Sequence, residues 1–172
     1  HFMEKYDEEK VMKKREIKLG VPSYITVESE EGSFIGEQNS SKFEKEDICV
    51  EANENGEIWL TADNSPVKTV KLRWNTPLER TSKILGGVWE RTYGDAEWKG
   101  MSGTRFMPWY FLALNEGVVT GYGVKVRPSA MCFWEADTRG ITLVLDVRCG
   151  GTGVVLSGRK LLAAEVVAMQ AD

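Results

Sequence analysis

Residues Ile141-Thr142-Leu143-Val144-Leu145-Asp146-Val147-Arg148 carry the alternation that decides the fold. Ile141, Leu143, Leu145 and Val147 recur at every second position, with Thr142, Val144, Asp146 and Arg148 between them. Successive side chains of an extended backbone point to opposite faces, so this is a strand with one face turned to a core. Just upstream, Ala130 to Ala136 reads as a second strand and Asp137-Thr138-Arg139-Gly140 as the turn between them. The same period governs Val70, Leu72 and Trp74, with Lys71 and Arg73 on the opposite side.

Further out, Phe106 to Leu114 is apolar at nearly every position. That predicts an internal strand covered on both faces, with Pro108 near its start, where a missing N–H is tolerated. Asn115-Glu116-Gly117 predicts a hairpin turn, answered by Val118 to Val126 and ended by Pro128. Cys149-Gly150-Gly151-Thr152-Gly153 turns tightly, and Leu161 to Met169 closes the chain as a last strand or a short terminal helix. Toward the start, Ile17 to Val21 begins an alternation and Tyr24 to Glu28 continues it with β-branched residues. Glu31-Gly32 and the polar stretch 36–42 are turns. Ile48, Val50 and Ala52 share a face, and the Asn-Gly pair at Asn55-Gly56 returns the chain through Glu57 to Thr61 as a hairpin.

Strand-length runs spaced by roughly eight to twelve residues, separated by Gly, Asn and Pro, indicate an all-β, antiparallel sandwich. Its expected extent is residues 16–172 as a single domain, behind a charged leader at 1–15 whose His1-Phe2 reads as foreign to a native start at Met3.

Composition narrows the function. A formal net charge of −4 argues against a binder of nucleic-acid phosphates, and no apolar run of about 18 residues is present to span a membrane as a helix. No basic, apolar and small-residue leader appears, which tilts the expected compartment toward the cell interior. Cys49, Cys132 and Cys149 have no Cys-x-x-Cys spacing and read as buried free thiols. With His1 the only histidine, neither a Ser-His-Asp triad nor a His-rich zinc site can be assembled, and no cofactor is expected.

The segment from 86 to 105 follows neither period. Three tryptophans stand between Gly86 and Trp109, namely Trp89, Trp98 and Trp109. Arg91, Tyr93, Asp95 and Glu97 lie between the first two. It reads as a structured aromatic loop, the candidate site. Trp89, Tyr93 and Trp98 suit either a platform for the C–H face of a sugar or a place in a core. Trp59, Trp74 and Trp134 fall in strand patterns and read as core. Asp95 and Glu97 project to one side if the backbone is extended, a spacing that suggests paired carboxylates of a glycosidase. Capping, or pairing with Arg91, Lys99 or Arg105, is the plainer reading, ligand contact the second and catalysis the third.

Val88-Trp89-Glu90-Arg91-Thr92-Tyr93-Gly94-Asp95-Ala96-Glu97-Trp98, followed by Met107-Pro108-Trp109-Tyr110-Phe111, resembles the amino-terminal domain of bacterial, melibiase-like α-galactosidases of glycoside hydrolase family 36. The likeness extends from about Val67 through Gly121-Tyr122-Gly123 to Arg148, with Ala96 where leucine is expected. It implies a large sandwich of the supersandwich type preceding a (β/α)8 barrel whose two aspartates perform the hydrolysis. A barrel needs about 250 residues of alternating strand and helix, a pattern absent here. The resemblance therefore implies a non-catalytic domain that docks on a barrel and lends aromatic contacts to its galactoside site. Trp89, Arg91, Tyr93, Asp95, Glu97 and Trp98 are the substrate-contact candidates, and no catalytic residue or metal ligand is expected in this chain. A free-standing carbohydrate-binding module is the alternative, and a glycosidase using Asp95 and Glu97 the least favoured. Partners would be the barrel and galactosides, with self-association through the bared docking face.

Overall fold

The computed structural model describes residues 14–76, 83–86, 99–100, 105–108, 110–125, 130–148, 153 and 156–171. They form two sheets in which every pairing is antiparallel, an all-β sandwich with no helix among the described residues. The larger sheet runs β4 (Lys42–Lys45), β5 (Ile48–Ala52), β6 (Glu57–Ala62), β15 (Lys160–Ala171), β12 (Val118–Val124), β11 (Tyr110–Asn115), β8 (Lys83–Gly86), β9 (Lys99–Gly100). A ninth strand, β1 (Lys14–Ile17), also pairs with β15. The smaller sheet runs β10 (Arg105–Pro108), β13 (Met131–Asp137), β14 (Gly140–Asp146), β7 (Val67–Trp74), β2 (Tyr24–Ser29), β3 (Gly32–Ile35).

The core is the set of inward positions that the period of two selects. Ile25, Val27, Val70, Leu72, Leu143 and Leu145 of the smaller sheet are at most 1% exposed, as are Leu60 and Phe111 of the larger one. Each such side chain contributes about 1.5–3 kcal/mol by leaving water. Four rings cross the interface. Trp74 and Trp134 come from the smaller sheet, with centroids 6.3 Å apart. Phe111 and Tyr122 come from the larger, stacked at 4.9 Å. Trp134 meets Phe111 edge-on at 5.7 Å and Tyr122 at 6.2 Å, the offset and edge-to-face contacts that ring quadrupoles favour.

Turn chemistry agrees with the register. Asn115 pairs with Val118, leaving Glu116 (φ 49°) and Gly117 (φ 83°) as a two-residue loop with two positive φ values, the type I′ geometry that matches strand twist. The connection after β5 differs from a tight Asn-Gly turn, because within residues 53–56 only Gly56 takes a positive φ, at 81°.

Four expectations need correction. Phe106 to Leu114 is not one internal strand: β10 lies at an edge of the smaller sheet among the described residues and β11 belongs to the larger, so the run is divided between the two sheets. Pro108 is accommodated because, among the described residues, β10 is paired on one side only, with β13. Ile17 to Val21 is not a strand beginning. β1 ends at Ile17, Gly20 takes φ 73°, and the segment crosses from one sheet to the other. Lys14 and Arg15, the end of the expected leader, are instead paired with Ala171 and Gln170. Trp59 is not core: Ile58, Leu60 and Ala62 take the inward positions of β6, which turns the indole outward beneath Lys160, whose Nζ lies 4.9 Å from the ring centroid. Trp74 and Trp134 are core, at 4% and 0% exposed. The closing segment is the strand β15, not a helix. Pro128 and Cys149 to Thr152 lie outside the described residues.

Candidate functional site

Trp89, Arg91, Tyr93, Asp95, Glu97 and Trp98 all lie outside the described residues, but both stems of their segment are in place. β8 ends at Gly86, β9 begins at Lys99, and Ile84 pairs with Lys99 and Lys83 with Gly100. Residues 87–98 thus join two antiparallel neighbours at one edge of the larger sheet. Gly86 sits in a row with Phe111, Tyr122, Ala168 and Ile17. Four strand spacings separate the ends of that row, about 19 Å.

At the far end of the row the sheet is open. β6 pairs with β15 as far as Glu165 and β1 pairs with it from Ala168 onward, so neither covers Val166 and Val167 as a ladder partner. The gap is a cleft of about 1130 Å³, walled by 16–21 on one side and the β5–β6 hairpin on the other. Trp74 is the aromatic residue in its lining, and it is buried with its Nε1–H donating to the Gly20 carbonyl at 3.1 Å. Ile17, Leu19, Ile58 and Val166 supply apolar wall.

The hairpin that forms one wall is rigid for local reasons. Asn53 Oδ1 accepts from the N–H groups of Asn55 and Glu57, both at 3.0 Å, an Asx turn, and Asn53 Nδ2 donates to Glu57 Oε1 at 3.0 Å. Val166 N–H donates to the Gly56 carbonyl at 2.7 Å. A side chain at position 56 would strike the Val166 carbonyl, so glycine is required here for close approach as well as for φ.

Among the described residues that line the cleft, Glu16, Glu51, Glu54, Glu57 and Glu165 face one cation, Lys18. Glu57 and Glu165 stand directly opposite each other on β6 and β15, a like-charge pair that is unfavourable unless a cation intervenes. Lys125 intervenes, with Nζ 2.6 Å from Glu165 Oε1. The hydrogen bond and charge of Glu165 push its ammonium pKa above the ordinary 10.5, and Glu16 and Glu57 push it the same way more weakly. Lys125 is paired with Glu165, and Glu57 accepts from Asn53 Nδ2. Among the described residues no group of three or more carboxylates, thiols or imidazoles is gathered closely enough to hold a metal ion.

The cleft opens at Val167 onto a second feature. On the outward side Tyr110, Leu112 and Leu114 of β11, Val119, Gly121 and Gly123 of β12, and Val167, Met169 and Ala171 of β15 form an uncharged run, bordered by Glu165 of β15 and by Glu16, which pairs with Met169 from β1. Tyr110 and Met169 are 51% and 49% exposed. Neighbouring side chains close over the two glycines of the middle strand: Gly123 is buried, and a Cβ placed at 121 would lie 3.1 Å from Leu112 Cδ2. A smaller hollow of about 850 Å³ between β3 and β4 is closed by Lys45 Nζ, 3.7 Å from the Phe34 ring centroid, and reads as the sealed edge of the sandwich.

The cleft escapes a linear reading because its glutamates come from three separate stretches, at 16, 51–57 and 165. The parity of Glu57 and Glu165 against their buried neighbours was the available signal. Compared with family models, curated proteins and solved structures, the chain matches none.

Proposed function

We propose that this chain is a non-catalytic accessory domain, of the kind that precedes the barrel of α-galactosidase-type glycoside hydrolases, and that it docks on that barrel. The observation that carries the docking is the uncharged run on the outer face of β11, β12 and residues 167–171 of β15. Antiparallel sheets with one face in water place polar residues outward, and a contiguous apolar face marks a surface meant to be covered. The galactoside rests on the resemblance of 88–98 and 107–111, and the aromatic segment rooted at Gly86 and Lys99 is the part that would reach the sugar.

The test uses the purified chain. It should not release nitrophenol from nitrophenyl α-galactoside, and calorimetry with galactose, melibiose and raffinose should show no binding at millimolar concentration. Turnover abolished by Asp95→Asn or Glu97→Gln would overturn the proposal in favour of an independent glycosidase. Millimolar or tighter sugar binding would replace it with a free-standing carbohydrate-binding module.

A further inference from the structure

We infer that β3, at the edge of the smaller sheet, pairs antiparallel with β3 of a second copy of this chain, about a twofold axis through Ile35. The inference goes beyond the docking reading and does not rest on it, because the surface is a main-chain edge of the other sheet.

Three observations carry it. The first is an open edge. β3 pairs with β2 on one side, and no described strand lies on the other. The Gly36 N–H donates to the Ile25 carbonyl at 2.8 Å, and main-chain groups alternate in direction along a strand, so those of Ser33 and Ile35 point away from β2. Among the described residues no hydrogen bond reaches them. The second is a lack of the usual protection. Gly32-Ser33-Phe34-Ile35 holds no charge and no proline, whereas β4 at the edge of the larger sheet carries Lys42, Glu44 and Lys45, and β10 carries Arg105 and Pro108. Ile35 is 70% exposed, the most of any large apolar residue among those described.

The third is self-complementarity, which selects a second copy as the occupant. With Ile35 on the axis the two isoleucines meet on the outer face and Phe34 lies opposite Gly36 of the second copy, where no side chain opposes the ring. Ser33 then lies opposite Glu37 of the second copy, a hydroxyl facing a carboxylate. The neighbouring registers fail on charge. An axis at Phe34 sets Glu31 against Glu37, and an axis at Ser33 or Gly36 sets Ile35 against Glu31 or Glu37. Two strands this short bury too little surface to hold a dimer at micromolar concentration. The pairing is transient, an added contact wherever two copies are held close.

The experiment is disulfide trapping of the whole chain in a glutathione buffer, read on non-reducing gels with peptide mapping of the linkage. Facing Cα atoms of a hydrogen-bonded antiparallel pair lie about 5.5 Å apart, within the span of a disulfide. Ile35→Cys should therefore give a dimer linked through position 35 about tenfold faster than Met131→Cys, an exposed control on the same sheet. Ser33→Cys should not link, because its two copies would stand about 14 Å apart. In the Ile35→Cys chain, adding Ser33→Glu should slow trapping several-fold, and adding Glu37→Lys to that pair should restore it. Positions 33, 35 and 37 are exposed, so folding is unaffected. Met169→Asp, which spoils the apolar face, should leave trapping unchanged, so failure of the docking reading is told apart from failure of this one. Equal rates for Ile35→Cys and Met131→Cys, linkage through Ser33→Cys, indifference to the charge exchange, or trapping lost with Met169→Asp would each overturn the inference.

Discussion

The two halves of the larger sheet share a backbone geometry but present different outer faces. Across β4, β5 and β6 the outward residues include Lys42, Glu44, Glu51, Glu57 and Thr61, and Lys42 and Glu44 pair at 3.0 Å. Even Trp59, the large apolar residue of that half, lies under the ammonium of Lys160. Across β11, β12 and residues 167–171 of β15 the same positions hold Tyr110, Leu112, Val119, Val167 and Met169, and the two glycines of β12, with Glu165 marking the border. One half is dressed for water and the other for contact. The dressing was chosen residue by residue, because strand pairing alone asks for neither.

The halves are joined through a common core and a common strand, so the largest expected effect breaks both together. Trp134→Ala removes the ring that touches Trp74, Phe111 and Tyr122 and should cost about 3–5 kcal/mol, read as a lower midpoint of urea unfolding. Next comes the seam. Gly56→Ala places a side chain against the Val166 carbonyl at a positive φ and should cost about 1–3 kcal/mol, detaching the β5–β6 hairpin from β15 before the apolar half opens. Hydrogen exchange resolved by residue would show protection lost first at Val166.

A smaller effect comes from the smaller sheet, whose outer face is held by ions. Arg73 donates to both carboxylate oxygens of Asp137, at 2.9 and 3.0 Å, and to Thr142 at 3.2 Å. The Arg73 hydrogen bonds, helped by the N–H groups of Arg139 and Gly140, hold the Asp137 carboxyl below its ordinary 3.8. A folded-state value below the unfolded one means stability that is complete above the unfolded value and lost as pH falls through the folded one. Thermal melts should therefore fall away below about pH 4, and Asp137→Asn should flatten that acid limb while lowering the melting temperature at neutral pH. The smallest effect is on thiol reactivity. Cys132 lies between the sheets, where burial pushes its thiol up to about 12, while Cys49 is half-buried on the charged half and raised less. Peptide mapping after brief alkylation of native protein should find Cys49 modified and Cys132 intact.

What the sequence disclosed follows from which forces are local. The inward row Ile141, Leu143, Leu145 and the paired positive φ of Glu116-Gly117 are properties of neighbouring residues, whereas the burial of Thr142 and Val144 on the other face of β14 is not visible in the alternation. The run 106–114 misled because apolar residues on the outer face, such as Leu112 and Leu114, give β11 the same pattern as a strand buried on both faces. Trp59 misled because three apolar residues stand in succession at 58–60 and the parity is settled only by Leu60 and Ala62 facing the core. The cleft is a product of register: it exists because β6 and β1 divide the length of β15 between them, which no local pattern encodes. The aromatic candidates from Trp89 to Trp98 lie outside the described residues, and their stems alone are fixed.

The most direct measurement of the central claim is sedimentation velocity across a hundredfold range of concentration, comparing the chain with Met169→Asp and with Glu44→Gln as a control on the charged half. An apolar face left bare should drive concentration-dependent association that Met169→Asp abolishes and Glu44→Gln leaves intact, with both variants unfolding within about 0.5 kcal/mol of the parent. A sedimentation coefficient that stays monomeric at every concentration, or association that survives Met169→Asp, would contradict the account.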